Sequence, residues 1–309
     1  MTPVIEFQGV SKRFGKEVAL DRLTLEVHAG SVFALLGENG AGKTTAIRIL
    51  LGLAEPDSGQ SFALGLASSR DGLAIRRRVG YVPERLTFYE WMTVEEVGWF
   101  TAGFYGEHFM PEYCRLTAQF DLPGRKAIKL LSKGMRAKVA LALAMAHDPD
   151  LLVLDEPTSG LDPLVRREFL ESMVDRAATG KTVFLSSHQI AEVERVADVV
   201  AILHQGRLLV VERLDELKAH VRELTFTMRN GAAAPPELPG EVLACRQRAR
   251  QWQAVVRLAN EDCLHALQAG GCLEALEIRT PSLEEIFVAY IQHGREARSG
   301  HLAPAEAQP

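Results

Sequence analysis

Residues Gly37, Glu38, Asn39, Gly40, Ala41, Gly42, Lys43 and Thr44, followed by Thr45, follow the spacing G-x-x-x-x-G-K-[ST]. A loop with that spacing can hold phosphate groups. Its glycines let the backbone curl, so that successive N–H groups and the first turn of a following helix face an anion. In such a loop Lys43 neutralises the β- and γ-phosphates of a nucleotide, and the Thr44 hydroxyl ligates Mg2+. A second feature lies far along the chain, where the apolar run 151–154 ends in Asp155 and Glu156. Two carboxylates at the C-terminal end of a strand stand where open α/β sheets bind ligands. Asp155 suits the Mg2+ shell, and Glu156 is the candidate general base that orients a water and accepts its proton. Alone, an acidic pair after a strand is ordinary solvated turn chemistry; the phosphate loop gives this pair a reaction to serve.

Both features require strands that end where the chemistry begins. Apolar stretches at 4–10, 23–27, 32–36, 151–154, 183–186 and 199–203 predict strands, several of them uninterrupted aliphatic runs of the kind buried on both faces. Helix-period segments at 43–51, 133–146, 163–178 and 189–197 lie between them. Strands alternating with helices predict an α/β core with a mostly parallel sheet over residues 1–218.

The strand signal fades after Arg85, and Thr93 with Glu96 forms a capping box that starts a helix. A helical subdomain inserted at about 85–147 is therefore expected. It is rich in aromatics, with Phe88, Tyr89, Trp91, Trp99, Phe100, Phe104 and Tyr105 close together. Residues 219–293 read as a small α+β domain, with strands at 222–228, 241–245 and 253–258, a loop at 231–240, and helices at 261–269 and 282–291. The polar, Ala/Pro-rich stretch 294–309 reads as a disordered tail.

Composition narrows the partners. A net charge of −5 leaves no basic footprint and argues against nucleic acid. No apolar run approaches the roughly 20 residues that cross a bilayer, and the first residues lack the layout of a signal peptide, so a cytosolic location is expected. Cys114, Cys245, Cys263 and Cys272 form no close pair and are expected to be free thiols.

With these residues in hand, the chain resembles the nucleotide-binding subunits of ATP-binding-cassette (ABC) transporters, whose further landmarks occur in the family's order. Leu131, Ser132, Lys133, Gly134 and Met135 look like the signature motif, a variant of the commoner L-S-G-G-Q. Ser159, Gly160, Leu161 and Asp162 resemble the D-loop. Ser187-His188 resembles the switch histidine that contacts the γ-phosphate, and Phe14-Gly15 the loop whose ring stacks on adenine. Glu84, in Tyr81-Val82-Pro83-Glu84, stands where the family usually has glutamine and would bring a third carboxylate towards metal and γ-phosphate.

The resemblance implies a P-loop NTPase cassette with an added antiparallel β part, and ATP with Mg2+ as cofactors. Thr44, Glu84 and Asp155 would stand around the metal, and Glu156, His188, Lys43 and Glu84 would carry the catalysis. It further implies a head-to-tail homodimer or heterodimer in which Ser132 and Gly134 of one subunit face the phosphates bound by the other. A separately encoded membrane permease, docked on the aromatic helical subdomain at the cytoplasmic face, is the expected partner. The ending Pro281-Ser282-Leu283-Glu284-Glu285-Ile286-Phe287 resembles that of drug-exporter-like subunits. The alternative is a soluble ABC-type ATPase with a regulatory or non-transport role.

Overall fold

A computed structural model describes residues 2–229, 235–259 and 273–299. The chain divides into two compact units, Met1–Val211 and Glu212–Pro309.

The centre of the first unit is a six-stranded sheet in the order β10-β9-β3-β8-β7-β6. Its strands are β3 (Val32–Leu36), β6 (Val79–Val82), β7 (Leu151–Asp155), β8 (Thr182–Ser187), β9 (Val199–His204) and β10 (Arg207–Arg213). Every residue of β3, β7 and β8 is buried. That is the expected fate of aliphatic runs in a parallel sheet covered on both faces, and β3, β6, β7, β8 and β9 pair parallel. Phe33 and Phe184, partners in the β3/β8 register, stack at 5.6 Å.

An antiparallel sheet, β2-β1-β4-β5, lies beside it, built from β1 (Ile5–Phe14), β2 (Glu17–Val27), β4 (Ser58–Ala63) and β5 (Leu66–Ala67). Its apolar face shares one core with α1 (Lys43–Leu50): Phe7, Leu23, Leu35, Ile47 and Phe184 belong to a single buried cluster. The hairpin of β1 and β2 reaches further than the apolar pattern suggested, because its far end is polar and bulged. The register shifts between Phe7 and Val10 and again on either side of Lys12.

The helical part follows α2 (Ser68–Arg78) and β6. Helix α3 (Val94–Ala102) begins at the expected capping box, with Thr93 Oγ1 accepting from Glu96 N and Glu96 accepting from Thr93 N. Helix α4 (Phe109–Gln119) packs against it so closely that a Cβ on Gly98 would fall 2.1 Å from the Tyr113 ring. Helix α5 (Lys133–Met145) buries Ala137, Val139 and Leu141. Beyond β7, Asp162 caps α6 (Pro163–Ala178). The helix expected over 189–197 is regular only as α7 (Ile190–Val193); residues 195 to 197 continue in turn-like bonds to Glu192 and Val193.

The second unit holds α8 (Leu214–His220), α9 (Leu283–Ser299) and a wholly antiparallel sheet, β12-β13-β11-β14. The strands are β11 (Val221–Met228), β12 (Glu241–Arg248), β13 (Gln251–Arg257) and β14 (Leu273–Arg279). Leu224, Phe226, Trp252 and Val256 form its core. Arg279 ties Glu223 (2.6 Å) to Glu285 (2.5 Å), and its hydrogen bond holds the Glu285 carboxyl down to about 2. Ser282 and Glu285 cap α9 reciprocally. Helix α9 continues through Ser299, into the stretch expected to be a disordered tail; its first turns bury Ile286, Phe287 and Tyr290, which gives the later turns a helix to extend. The helix expected at 261–269, Cys263, Cys272 and part of the 231–240 loop lie outside the described residues. Among the described residues Cys114 and Cys245 are free, and no helix is long and apolar enough to cross a membrane.

Candidate nucleotide site

The parallel register brings the chemistry together. Leu36 pairs with Ser187, and Asp155 with Ser186. The Gly37 loop, the 155–156 carboxylates and His188 therefore all leave the sheet at one edge, and Gly37 N donates to Ser187 O at 3.4 Å.

The loop takes the tight path its glycines allow. Gly42 has φ +109°, and a Cβ there would lie 2.3 Å from the Ala19 carbonyl oxygen. Lys43, the first residue of α1, is buried, and its ammonium donates to Gly37 O (2.7 Å) and Glu38 O (3.2 Å). It also lies 3.0 Å from Glu156 Oε1, with both side chains over nine-tenths buried.

The carboxylates have distinct settings. Asp155 Oδ1 accepts from Ser186 Oγ (2.6 Å) and Thr44 Oγ1 (3.1 Å). Burial nevertheless raises its carboxyl above the usual range, and the nearby charges of Glu156 and Glu84 add to that. The Tyr81 hydroxyl is pushed up to about 12, first by burial and then by the Asp155 charge. Glu156 adopts a left-handed backbone, φ +49°, a conformation that costs a non-glycine residue about 1–3 kcal/mol and gathers at functional sites. Its Oε2 lies 2.7 Å from His188 Nδ1 and accepts from His188 N at 3.3 Å. Its Oε1 is held by the Lys43 ammonium.

These groups border a cleft of about 470 Å3. Gly40, Gly42, Lys43 and Thr44 of the phosphate loop line it together with Phe14, Glu84, Glu156 and His188. Phe14 is 55% exposed, with the Lys12 ammonium 5.6 Å from its ring centre. Asn39, Ala41, Thr45 and Ser159 also reach the cleft, whereas Gly37, Glu38 and Asp155 are not among its lining residues; Glu38 lies 3.4 Å from His204.

The residues from Leu131 to Met135 and from Gly160 to Asp162 do not line this cleft. Ser132 caps α5, accepting from Met135 N at 3.2 Å, and Asp162 caps α6, accepting from Val165 N at 3.1 Å. The two segments pack on each other: a Cβ on Gly134 would meet Val165 at 3.0 Å, and one on Gly160 would meet the Lys133 ammonium.

Three residues escaped the sequence reading. Glu17 and Ala19 reach the cleft from β2, which only the β1/β2 pairing reveals. Ser186 grips Asp155; its one signal is a hydroxyl following the apolar run 183–185, two residues before His188.

Residues 20–159 match the family model described as ABC transporter, and residues 213–291 that of the ATP-binding protein DrrA1-3-like, C-terminal domain. The chain is 33% identical to the Nod factor export ATP-binding protein I of Ralstonia nicotianae over 96% of each chain. It belongs to the ABC transporter ATP-binding subunits. The daunorubicin resistance ATP-binding protein DrrA3 of Streptomyces coeruleorubidus is also 33% identical, covering 92% of this chain and 94% of its own. A solved ATP-binding subunit of an ABC transporter superposes with a TM-score of 0.65 at 34% identity, covering 70% of this chain and 92% of that one. ABC subunits of this family bind ATP, dimerise and work with a transmembrane permease, so the soluble non-transport alternative falls away.

The site of this ABC subunit fits a metal-bound nucleotide. The Gly42 cradle leaves no room for a side chain, and the buried Lys43 ammonium opens the helix that follows it. Hydroxyl and carboxylate oxygens are the hard donors Mg2+ prefers, and it keeps phosphate oxygens among its ligands.

Proposed function

We propose that this subunit hydrolyses ATP as one of a facing pair, homodimeric or heterodimeric, and drives a separately encoded permease in export from the cytoplasmic face of the membrane. The observation that carries the reading is Glu156, held between Lys43 (3.0 Å) and His188 (2.7 Å) at the mouth of the phosphate loop. Phe14 offers a ring for the adenine, and the backbone from Gly37 to Thr45 wraps the phosphates. Lys43 exchanges Glu156 for the γ-phosphate. The released Glu156 carboxylate then orients the attacking water and takes its proton at Oε1, while His188 holds Oε2 and reaches the γ-phosphate. Mg2+, held by Thr44 and Asp155 with Glu84 beside them, would supply charge neutralisation on the phosphate oxygens.

The facing pair is supported by where the signature lies. Ser132 and Gly134 sit at an α5 N-terminus, whose dipole favours an anion, and away from their own chain's cleft. Asp162 and its D-loop pack beside them. For the permease, a groove lined by Tyr81, Pro83, Phe88, Tyr105 and Leu143 fits a short helix, and Trp91 and Trp99 stand exposed nearby in sequence. Export rests on the two relatives, named for Nod factor export and daunorubicin resistance.

The test combines the purified chain with its permease, phosphate release, and light scattering with and without a non-hydrolysable ATP analogue. Turnover and an analogue-dependent pair are expected. A folded chain that does neither beside its permease overturns the proposal.

A further inference from the structure

We infer that Ser186 is a positioning residue for the hydrolytic centre: one buried hydroxyl on β8 sets both the Asp155 carboxylate and the Glu156 backbone. The inference rests on the hydrolysis reading above. A hydroxyl has one proton to give and lone pairs to receive, and Ser186 uses both. It donates to Asp155 Oδ1 at 2.6 Å and accepts from Glu156 N at 3.2 Å. Ser186 is 0% exposed, so solvent cannot replace either bond.

The pairing of β7 with β8 makes this possible, because Asp155 and Ser186 are register partners in neighbouring parallel strands. Thr44 donates to the same Asp155 oxygen at 3.1 Å. Two hydroxyl donors, one from α1 and one from β8, thereby limit how the carboxylate can rotate, and the Thr44 hydroxyl spends its proton on Asp155 while keeping its lone pairs. At Glu156 the chain turns into the left-handed region, φ +49°, just where it must swing the next carboxylate towards Lys43 and His188. The Glu156 N–H is shared between the Ser186 hydroxyl and the Ser186 carbonyl oxygen, the latter at 3.1 Å. The carbonyl preserves the strand when the hydroxyl is removed, so Ser186→Ala tests orientation and leaves the fold standing.

The experiment compares wild type, Ser186→Ala and Ser186→Thr in the full chain beside its permease, each checked for folding by thermal melting. For Ser186→Ala, kcat at saturating ATP falls at least about tenfold, the loss expected from one hydrogen bond to a charged group. ATP affinity measured without Mg2+ with a fluorescent analogue stays within about twofold of wild type, since the phosphate cradle is untouched. The tightening of ATP binding on adding Mg2+ shrinks in Ser186→Ala, and Ser186→Thr restores both it and kcat. A purely structural role would lower the melting temperature and move binding with and without Mg2+ alike. The inference is overturned if Ser186→Ala keeps the wild-type kcat and Mg2+ response, or if a folded Ser186→Thr is as impaired as Ser186→Ala. A wild type that binds ATP but does not turn it over overturns the hydrolysis reading instead, and the Mg2+ response of binding still decides the role of Ser186.

Discussion

Glu156→Gln is the most informative single change, because the substitution keeps the side chain's shape and removes its basicity. In the wild type Oε1 faces the Lys43 ammonium at 3.0 Å, and Oε2 faces His188 Nδ1 at 2.7 Å and His188 N at 3.3 Å. Glutamine retains one acceptor for one of these neighbours but cannot take a proton from water. General-base catalysis contributes about 10²–10⁴-fold, so the barrier should rise by about 2.7–5.4 kcal/mol. Binding should move the other way. The Lys43 ammonium is engaged by Gly37 O, Glu38 O and Glu156, and a γ-phosphate has to displace the last of them. Weakening that competitor leaves ATP affinity unchanged or tightens it by up to about tenfold, the scale of one hydrogen bond to a charged group. Phosphate release at saturating ATP and equilibrium nucleotide binding, measured on the same preparation, separate the two effects. Turnover at the wild-type rate would refute Glu156 as the base. Unimpaired catalysis is not the only damaging result, for ATP binding weakened more than about tenfold would refute the idea that Lys43 must leave Glu156.

Two further perturbations test the cradle and the core beneath the helical subdomain. Gly42→Ala places a Cβ 2.3 Å from Ala19 O and 2.9 Å from Leu20 Cδ2 at φ +109°; strain of about 1–3 kcal/mol should lower the melting temperature by several degrees and abolish detectable ATP binding, and an alanine variant that binds ATP normally would contradict the cradle geometry. His147, stacked on Tyr105 at 4.4 Å, has its imidazole pushed down to about 4 by burial and then by the Arg176 charge. Between pH 6.5 and 4 the unfolded chain therefore takes up a proton that the folded chain refuses, so this contribution is full above about 6.5 and is lost as pH falls to about 4. His147→Phe, which keeps a ring against Tyr105, should flatten the loss of stability between about pH 7.5 and pH 5 by roughly 1–2 kcal/mol, partial exposure being discounted. Urea unfolding at both pH values checks this, and an unchanged slope would rule His147 out as its source.

What was legible in the sequence was what is dictated locally. The phosphate loop announces itself because one short segment has to curl, bind an anion and start a helix, and only glycines, a lysine and a hydroxyl do all three. Strands β3 and β7 are legible because burial on both faces requires continuous aliphatic runs, 32–36 and 151–154. The far half of the β1/β2 hairpin was not legible, since its register shifts break the alternation that would mark Lys12 and Arg13 as strand residues. The helix at 189–197 was overread because Ile190, Val193 and Val196 keep a helical spacing while the backbone after Val193 settles into turns. Ser186 was missed for a further reason: it acts through Asp155, 31 residues away along the chain.

That distance sets how the site should respond to change. Lys43 follows β3, Asp155 ends β7 and Ser186 lies one residue before the end of β8, so segments more than a hundred residues apart in sequence, or 31 in the nearest case, meet through the order β3-β8-β7. In a parallel sheet a slip of one residue turns every side chain of a strand to the opposite face. A slip of β8 would part Ser186 from Asp155 and carry His188 away from Glu156 together. The Phe33–Phe184 stack sits in that register, two residues before Ser186. Packing in the middle of the sheet thus helps set the geometry at its edge, and conservative changes at Phe184 should disturb hydrolysis before they disturb nucleotide binding, because the phosphate cradle is mainly backbone of the loop after β3, tied to β8 through Gly37 N.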